Sequence, residues 1–130
     1  MQDQSKPSGK LVIQVVAMPA DTNANGDIFG GWLVSNMDMG AGIAARRYAR
    51  SRVVTAAIDS LVFIKPVGVG YTVCCYADLV KVGRTSMRFK MEVWTISLDD
   101  VFEKSAEGIF TFVAISETGK PQPVNHPLSN

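Results

Sequence analysis

The sequence predicts an α+β fold, an antiparallel sheet curled around one long helix. Three observations predict it. Only Gly30 to Arg50 shows sustained helical spacing. Five other stretches are β-branched and apolar or alternate apolar with polar side chains. One of these strands precedes the helix and four follow it.

Met1 to Gly9 is polar and reads as a loosely ordered tail. Lys10 to Ala17, Lys-Leu-Val-Ile-Gln-Val-Val-Ala, is a β-branched strand that Pro19 ends. In the helix, Leu33, Met37, Gly40, Ala44 and Tyr48 fall on one stripe. Arg46, Arg47 and Arg50 stand in its last turns, where cations suit the dipole. Glycine costs up to about 1 kcal/mol against alanine inside a helix. Gly40 and Gly42 therefore predict the close approach of another backbone. The next strands, Arg52 to Ile64 and Tyr71 to Val82, stop at Pro66 and Gly83. Thr85 to Ser97 sets Met87, Phe89, Met91 and Val93 on one face against Ser86, Arg88, Lys90 and Glu92 on the other. Asp99-Asp100 marks a turn, and Ser105 to Ile115 alternates again. The domain runs over 10–124, with a short tail over 125–130.

At 130 residues the chain can build one core. Apolar residues at 47% and charged residues at 19% exclude a disordered chain. A formal net charge of +1 gives no reason to expect nucleic acid as a partner. No apolar run approaches the roughly 20 residues of a membrane span, and Met1 to Lys10 has no signal-peptide core. Cys74 and Cys75 are strand neighbours, so their side chains point to opposite faces and are read as packing residues. The expected location is the cytoplasm.

The densest chemistry lies in Asp21-Thr22-Asn23-Ala24-Asn25-Gly26-Asp27-Ile28-Phe29-Gly30-Gly31-Trp32, followed six residues later by Asp38. A polar loop that opens a helix leaves backbone N–H donors where an anion or polarised carbonyl can sit. Asp38 lies on the small apolar stripe Val34, Asp38, Ala41 and Ala45, where desolvation favours a proton-accepting acid. A donor and a base are the two parts that acyl transfer needs. Gly31 precedes Asp38 by seven residues, about 10 Å at ~1.5 Å per residue. A reacting carbonyl must sit within roughly 3 Å of its donor, so one helix serves both roles poorly. Two antiparallel helices side by side would pair each Asp38 with the other chain's Gly31, which predicts a dimer with two shared sites.

The block from Ala17 through Trp32 resembles the signature of the bacterial YciA-type acyl-CoA thioesterases, of the hotdog fold. Arg52-Val53-Val54-Thr55, Phe63-Ile64-Lys65-Pro66-Val67, Val69-Gly70, Val73-Cys74-Cys75-Tyr76, Lys81 to Ser86 and Glu92-Val93-Trp94 fit the same pattern. The resemblance spans residues 10–124. It departs at Thr95-Ile96-Ser97-Leu98, where the family suggests a more basic run, and in the short tail. The resemblance implies hydrolysis of acyl-CoA to a free acid and CoA. It implies Asp38 as general base or nucleophile and a thioester carbonyl held near Gly31, with Asn23, Asn25, Asp27 and Gly30 around it. Related eukaryotic enzymes of this fold carry an asparagine where Asp27 stands. A homodimer, and a hexamer built as three dimers, is also implied. The alternative is a hotdog module that binds acyl-CoA without turnover, which would not need Asp38.

Each motif also has a structural reading. Asp38 could cap a nearby loop, and Asn23, Asn25 and Asp27 are preferred turn and cap residues. Lys81-Val82-Gly83-Arg84-Thr85-Ser86 is equally a hairpin turn with Gly83 at positive φ or a site for the CoA diphosphate or 3′-phosphate. Asp59 reads as a satisfied polar group at a sheet edge or interface. The single histidine, His126, lies in the tail, which argues against a Ser-His-Asp triad, a histidine metal site and His-dependent hydration. No Gly-x-Ser-x-Gly elbow or phosphate-binding Gly-x-x-x-x-Gly-Lys loop is present. No metal or cofactor is expected.

Overall fold

The computed structural model describes residues 6–124. Residues 1–5 and 125–130, with His126 and most of the two expected tails, lie outside the described residues. Strand β1 (Lys10–Val16) and a 3-10 turn, Pro19–Asp21, precede helix α1 (Gly30–Ala49). Strands β2 (Arg52–Phe63), β3 (Thr72–Val82), β4 (Ser86–Ile96) and β5 (Phe102–Ile115) follow. They form one antiparallel sheet in the order β1-β3-β4-β5-β2, wrapped around α1 as the hotdog fold requires.

The β5 strand begins at Phe102 rather than at the expected Ser105. A register shift between Val93 and Trp94 brings Trp94 opposite Lys104. The Trp94 and Phe102 rings then stack with centroids 5.0 Å apart, which extends the ladder through Glu103 and Lys104.

The alternation read in β4 sets the core. Met87, Phe89, Met91 and Val93 face α1 together with Ala106, Phe110, Phe112 and Ala114 of β5. They pack against Leu33, Met37, Ala41 and Ala45. The helix glycines serve side chains rather than another backbone. A Cβ on Gly40 would lie 2.8 Å from Cγ2 of Val12. At Gly42 it would meet Phe112 at an ordinary 3.5 Å. The helix ends at Arg50, whose φ of 57° reverses the chain and whose N–H donates to the Arg46 carbonyl.

The outer sheet face carries an ion cluster. Glu92 is fully buried. Its carboxylate accepts from Trp94 Nε1 at 2.8 Å and from the Ser8 N–H at 3.2 Å, and lies 3.3 Å from Lys90 and 3.4 Å from Lys104. Lys104 also pairs with Glu107. The Ser8 hydroxyl donates to Asp78 at 3.2 Å, so this part of the expected tail is pinned to the sheet. Burial by itself would push the Glu92 carboxyl up. The Trp94 and Ser8 N–H groups, with Lys104 and Lys90, outweigh burial and hold it below its ordinary 4.5.

A depressed carboxyl adds stability that is present above its unfolded value and is lost as pH falls below it. Glu92→Gln is expected to cost about 3 kcal/mol at neutral pH, the scale of breaking a buried pair. The gap to wild type is expected to narrow as pH falls through 4.5. Urea denaturation from neutral to acid pH checks both, and a gap independent of pH contradicts the account.

The β2 strand is an outer strand, and Val54, Ile58, Val62 and Phe63 on it are each at least 40% exposed. Asp59 lies on the same edge and pairs with Arg88 at 3.7 Å. A long apolar edge of this kind is an unfinished surface. Among the described residues no helix is long and apolar enough to cross a membrane.

Candidate active site

The polar loop is built by asparagine chemistry. The side-chain oxygen of Asn23 accepts the N–H groups of Asn25 at 2.9 Å and Asp27 at 3.2 Å, while its own N–H donates to the Asp27 carbonyl at 2.7 Å. Gly26 supplies the positive φ, 84°, that closes the turn. The Ile28 N–H donates to Val67 and the Phe29 N–H to Asp21, which fixes where α1 begins. Asn23 thus has a structural duty, as its turn reading expected. Asn25 points into the exposed part of the loop.

Gly30 is the first residue of α1, and Gly31 follows it in the turn whose N–H groups lack helical acceptors. A depression of about 470 Å³ opens there. Asn23, Asp27 and Gly30 line it, over a floor that includes Ile28, Leu33, Phe63 and Val67. A Cβ on Gly30 would press on the Phe63 ring at 3.0 Å. The loop runs into the helix start as the sequence predicted, and the structure adds an apolar floor that the sequence reading did not assign.

Asp38 lies elsewhere. It borders the core on the β2 side of α1 and is partly exposed rather than buried within the apolar stripe, a difference from the sequence expectation. Ala41 and Ala45 are fully buried in the core, and Asp38 sits half-buried on the same side of the helix. Its Oδ1 accepts a hydrogen bond of 2.7 Å from the Thr55 hydroxyl on β2. Thr55 escaped the sequence reading of the site, although it stands in the matching stretch Arg52-Val53-Val54-Thr55. Its role depends on how a strand lies against a helix seventeen residues away. Asp38 does not line the depression at the helix start. One chain thus keeps the helix start at Gly30–Gly31 and the mid-helix acid apart.

The Lys81–Ser86 segment forms the β3–β4 hairpin turn, closed by the Gly83 N–H donating to the Ser86 carbonyl at 2.8 Å. Gly83 does not adopt the positive φ expected of it. A Cβ there would stand 2.8 Å from the Ser86 hydroxyl, which would have to rotate away. Lys81 and Arg84 are exposed, and Thr85 and Ser86 are half-buried.

Cys74 and Cys75 are buried and free. Burial, reinforced by Cys74, pushes the Cys75 thiol up to about 12, which leaves it no nucleophilic thiolate at neutral pH. The remaining candidate chemistry is a carboxylate with a hydroxyl partner and a helix start.

The model of the thioesterase superfamily matches residues 25–101, which contain Gly30, Gly31, Asp38 and Thr55. The acyl-CoA thioester hydrolase YciA of Salmonella typhimurium is 48% identical over 122 residues, covering 91% of this chain and 92% of that protein. The crystal structure of a hexameric thioesterase from Yersinia pestis superposes with a TM-score of 0.89 at 49% identity, covering 92% of this chain and 98% of that one. An acyl-CoA hydrolase from Staphylococcus aureus, solved with butyryl coenzyme A and coenzyme A, gives a TM-score of 0.81 at 32% identity over 88% of this chain and 70% of that one. The chain belongs to the thioesterase superfamily and, within it, to the YciA-type acyl-CoA thioester hydrolases of the hotdog fold.

Proposed function

We propose that the protein hydrolyses acyl-CoA to a carboxylic acid and CoA at two sites shared across a homodimer, with Asp38 of one chain and the Gly31 region of the other in each site. The observation that carries this is the separation of the two half-sites on one helix, together with the unfinished apolar edge of β2. Two chains joined along that edge would set their helices side by side and antiparallel, which closes the gap of about 10 Å. Relatives described as hexameric support assembly of such dimers in threes. A cytoplasmic location is in keeping with this substrate.

In this reading the Thr55 hydroxyl, bound to Oδ1, fixes the carboxylate and leaves Oδ2 to act. Asp38 takes a proton from water, and the hydroxide adds to the thioester carbon. The backbone N–H of Gly31 in the neighbouring chain holds the oxyanion. Collapse breaks the C–S bond, and the proton on Asp38 goes to the departing CoA sulfur. Direct attack by Asp38 would instead form a mixed anhydride. Single turnover in ¹⁸O-water tests this route, because label in Asp38 arises only when water opens an anhydride at the Asp38 carbonyl. Asn23, Asp27 and Gly30 line the pocket that receives the thioester, and Asn25, in the same loop but outside that lining, is read as a further substrate contact.

A thiol-release assay over acyl-CoAs of rising chain length tests the activity. Binding of acyl-CoA with no CoA release from any of them would favour the non-catalytic module. Lys81, Gly83, Arg84, Thr85 and Ser86 are read as a CoA phosphate site. Arg84→Ala is then expected to raise KM for acyl-CoA much more than it lowers kcat, because a remote contact acts on ground state and transition state alike. Equal losses on acyl-CoA and on a short thioester without a nucleotide would make the turn structural.

A further inference from the structure

The chain reversal at Arg50 gathers four arginines at one corner: Arg46, Arg47, Arg50 and Arg52. Arg46 and Arg50 line two adjoining depressions. One, of about 510 Å³, includes Ser51, Arg52 and Glu117; the other, of about 490 Å³, includes Ile43 and Arg47. The Arg52 guanidinium is anchored by donating to the Glu117 carbonyl at 3.0 Å. Among the described residues no carboxylate pairs with Arg46, Arg47 or Arg50. A helix C-terminus carries about half an elementary negative charge, which one cation answers. Four at one corner of a chain with a net charge of +1 is a local excess. Guanidinium forks match phosphate oxygens in pairs.

Distance selects the ligand. Arg46 is eight residues beyond Asp38, about 12 Å along the helix axis. The pantetheine arm between the sulfur and the first phosphorus has as many chain bonds as four to five residues, and so extends to roughly 15 Å. Within one chain Gly31 and Arg46 are fifteen residues apart, about 22 Å, beyond that reach. A thioester held between Asp38 of this chain and Gly31 of its neighbour brings the nucleotide to this chain's corner.

We propose that Arg46, Arg50 and Arg52 form a phosphate subsite for the nucleotide end of acyl-CoA, supplied by the same subunit that supplies Asp38. The proposal rests on the thioesterase reading above. It adds to the Arg84 turn rather than replacing it. Thr85 accepts from Ala114, beside Ile115, which pairs with Arg52. The turn is therefore about two strand spacings, roughly 10 Å, from Arg52. The diphosphate and the 3′-phosphate of one CoA can occupy both.

The test compares kcat/KM for an acyl-CoA with that for the N-acetylcysteamine thioester of the same acid. In the exposed double variant Arg46→Gln/Arg50→Gln this ratio is expected to fall by about tenfold or more, the scale of losing one or two charge-assisted bonds. Competitive inhibition by adenosine 3′,5′-bisphosphate is expected to weaken by a similar factor, and the Arg46→Lys/Arg50→Lys variant to recover part of both. A ratio that falls by less than about threefold overturns the subsite. If the wild type cleaves neither thioester, the thioesterase reading fails. Calorimetric binding of adenosine 3′,5′-bisphosphate then decides the corner: weaker binding in the glutamine variant supports it, and equal binding overturns it.

Discussion

Asp38→Asn is expected to lower thioester hydrolysis by about 100-fold or more, the scale of removing a general base. The amide keeps the size of the side chain and can still accept the Thr55 hydroxyl bond that Oδ1 accepts now. What it cannot do is take a proton from water. The fold is expected to survive, because Asp38 lies at the rim of the core and is replaced there by a neutral group of the same shape. The measurement is CoA release by purified variant and wild type under saturating acyl-CoA, with thermal unfolding as the folding control. Hydrolysis at a near-normal rate in a folded variant refutes the assignment of Asp38.

Two inactive variants are expected to rescue each other. Asp38→Asn removes the base from one chain, and Gly31→Pro removes the backbone donor from the other, since proline has no N–H. The first turn of a helix accepts proline, and a Cβ at Gly31 meets only the Phe29 ring, at 3.3 Å. In a mixed dimer one shared site collects both defects and the other has none. Random exchange makes half the dimers mixed, each with one good site, so activity returns to about a quarter of wild type under two-fold symmetry. Mass spectrometry of the exchanged dimers checks the mixing. Exchange without recovered activity places both catalytic parts in one chain and ends the shared-site mechanism.

Local features were legible for a physical reason. Strand alternation and helical spacing are imposed by which face of each element meets the core, so they appear in the order of residues. That is how Met87, Phe89, Met91 and Val93, and Leu33 and Met37, could be assigned to one interior. The loop chemistry was legible too. Asn, Asp and Gly in a run favour a turn, and the helical spacing that follows shows that this one leads into a helix.

Features that depend on how distant segments register against each other were not legible. Glu92 looks in sequence like any outward polar residue of β4, yet the Ser8 segment, Lys104 and Trp94 close over it. Gly40 yields to Val12, a contact set by packing rather than by spacing. By itself the sequence determined the order of the elements, the core face of β4 and β5, the inward Leu33 and Met37 of the helix, and the motif of polar loop, helix start and acid. Only the tertiary structure decided that Thr55 holds Asp38, that the Glu117 carbonyl anchors Arg52 and that Phe63 floors the depression at the helix start. Each of these relations joins residues whose distance in space is set by ladder register and helix placement, which no local run of side chains encodes.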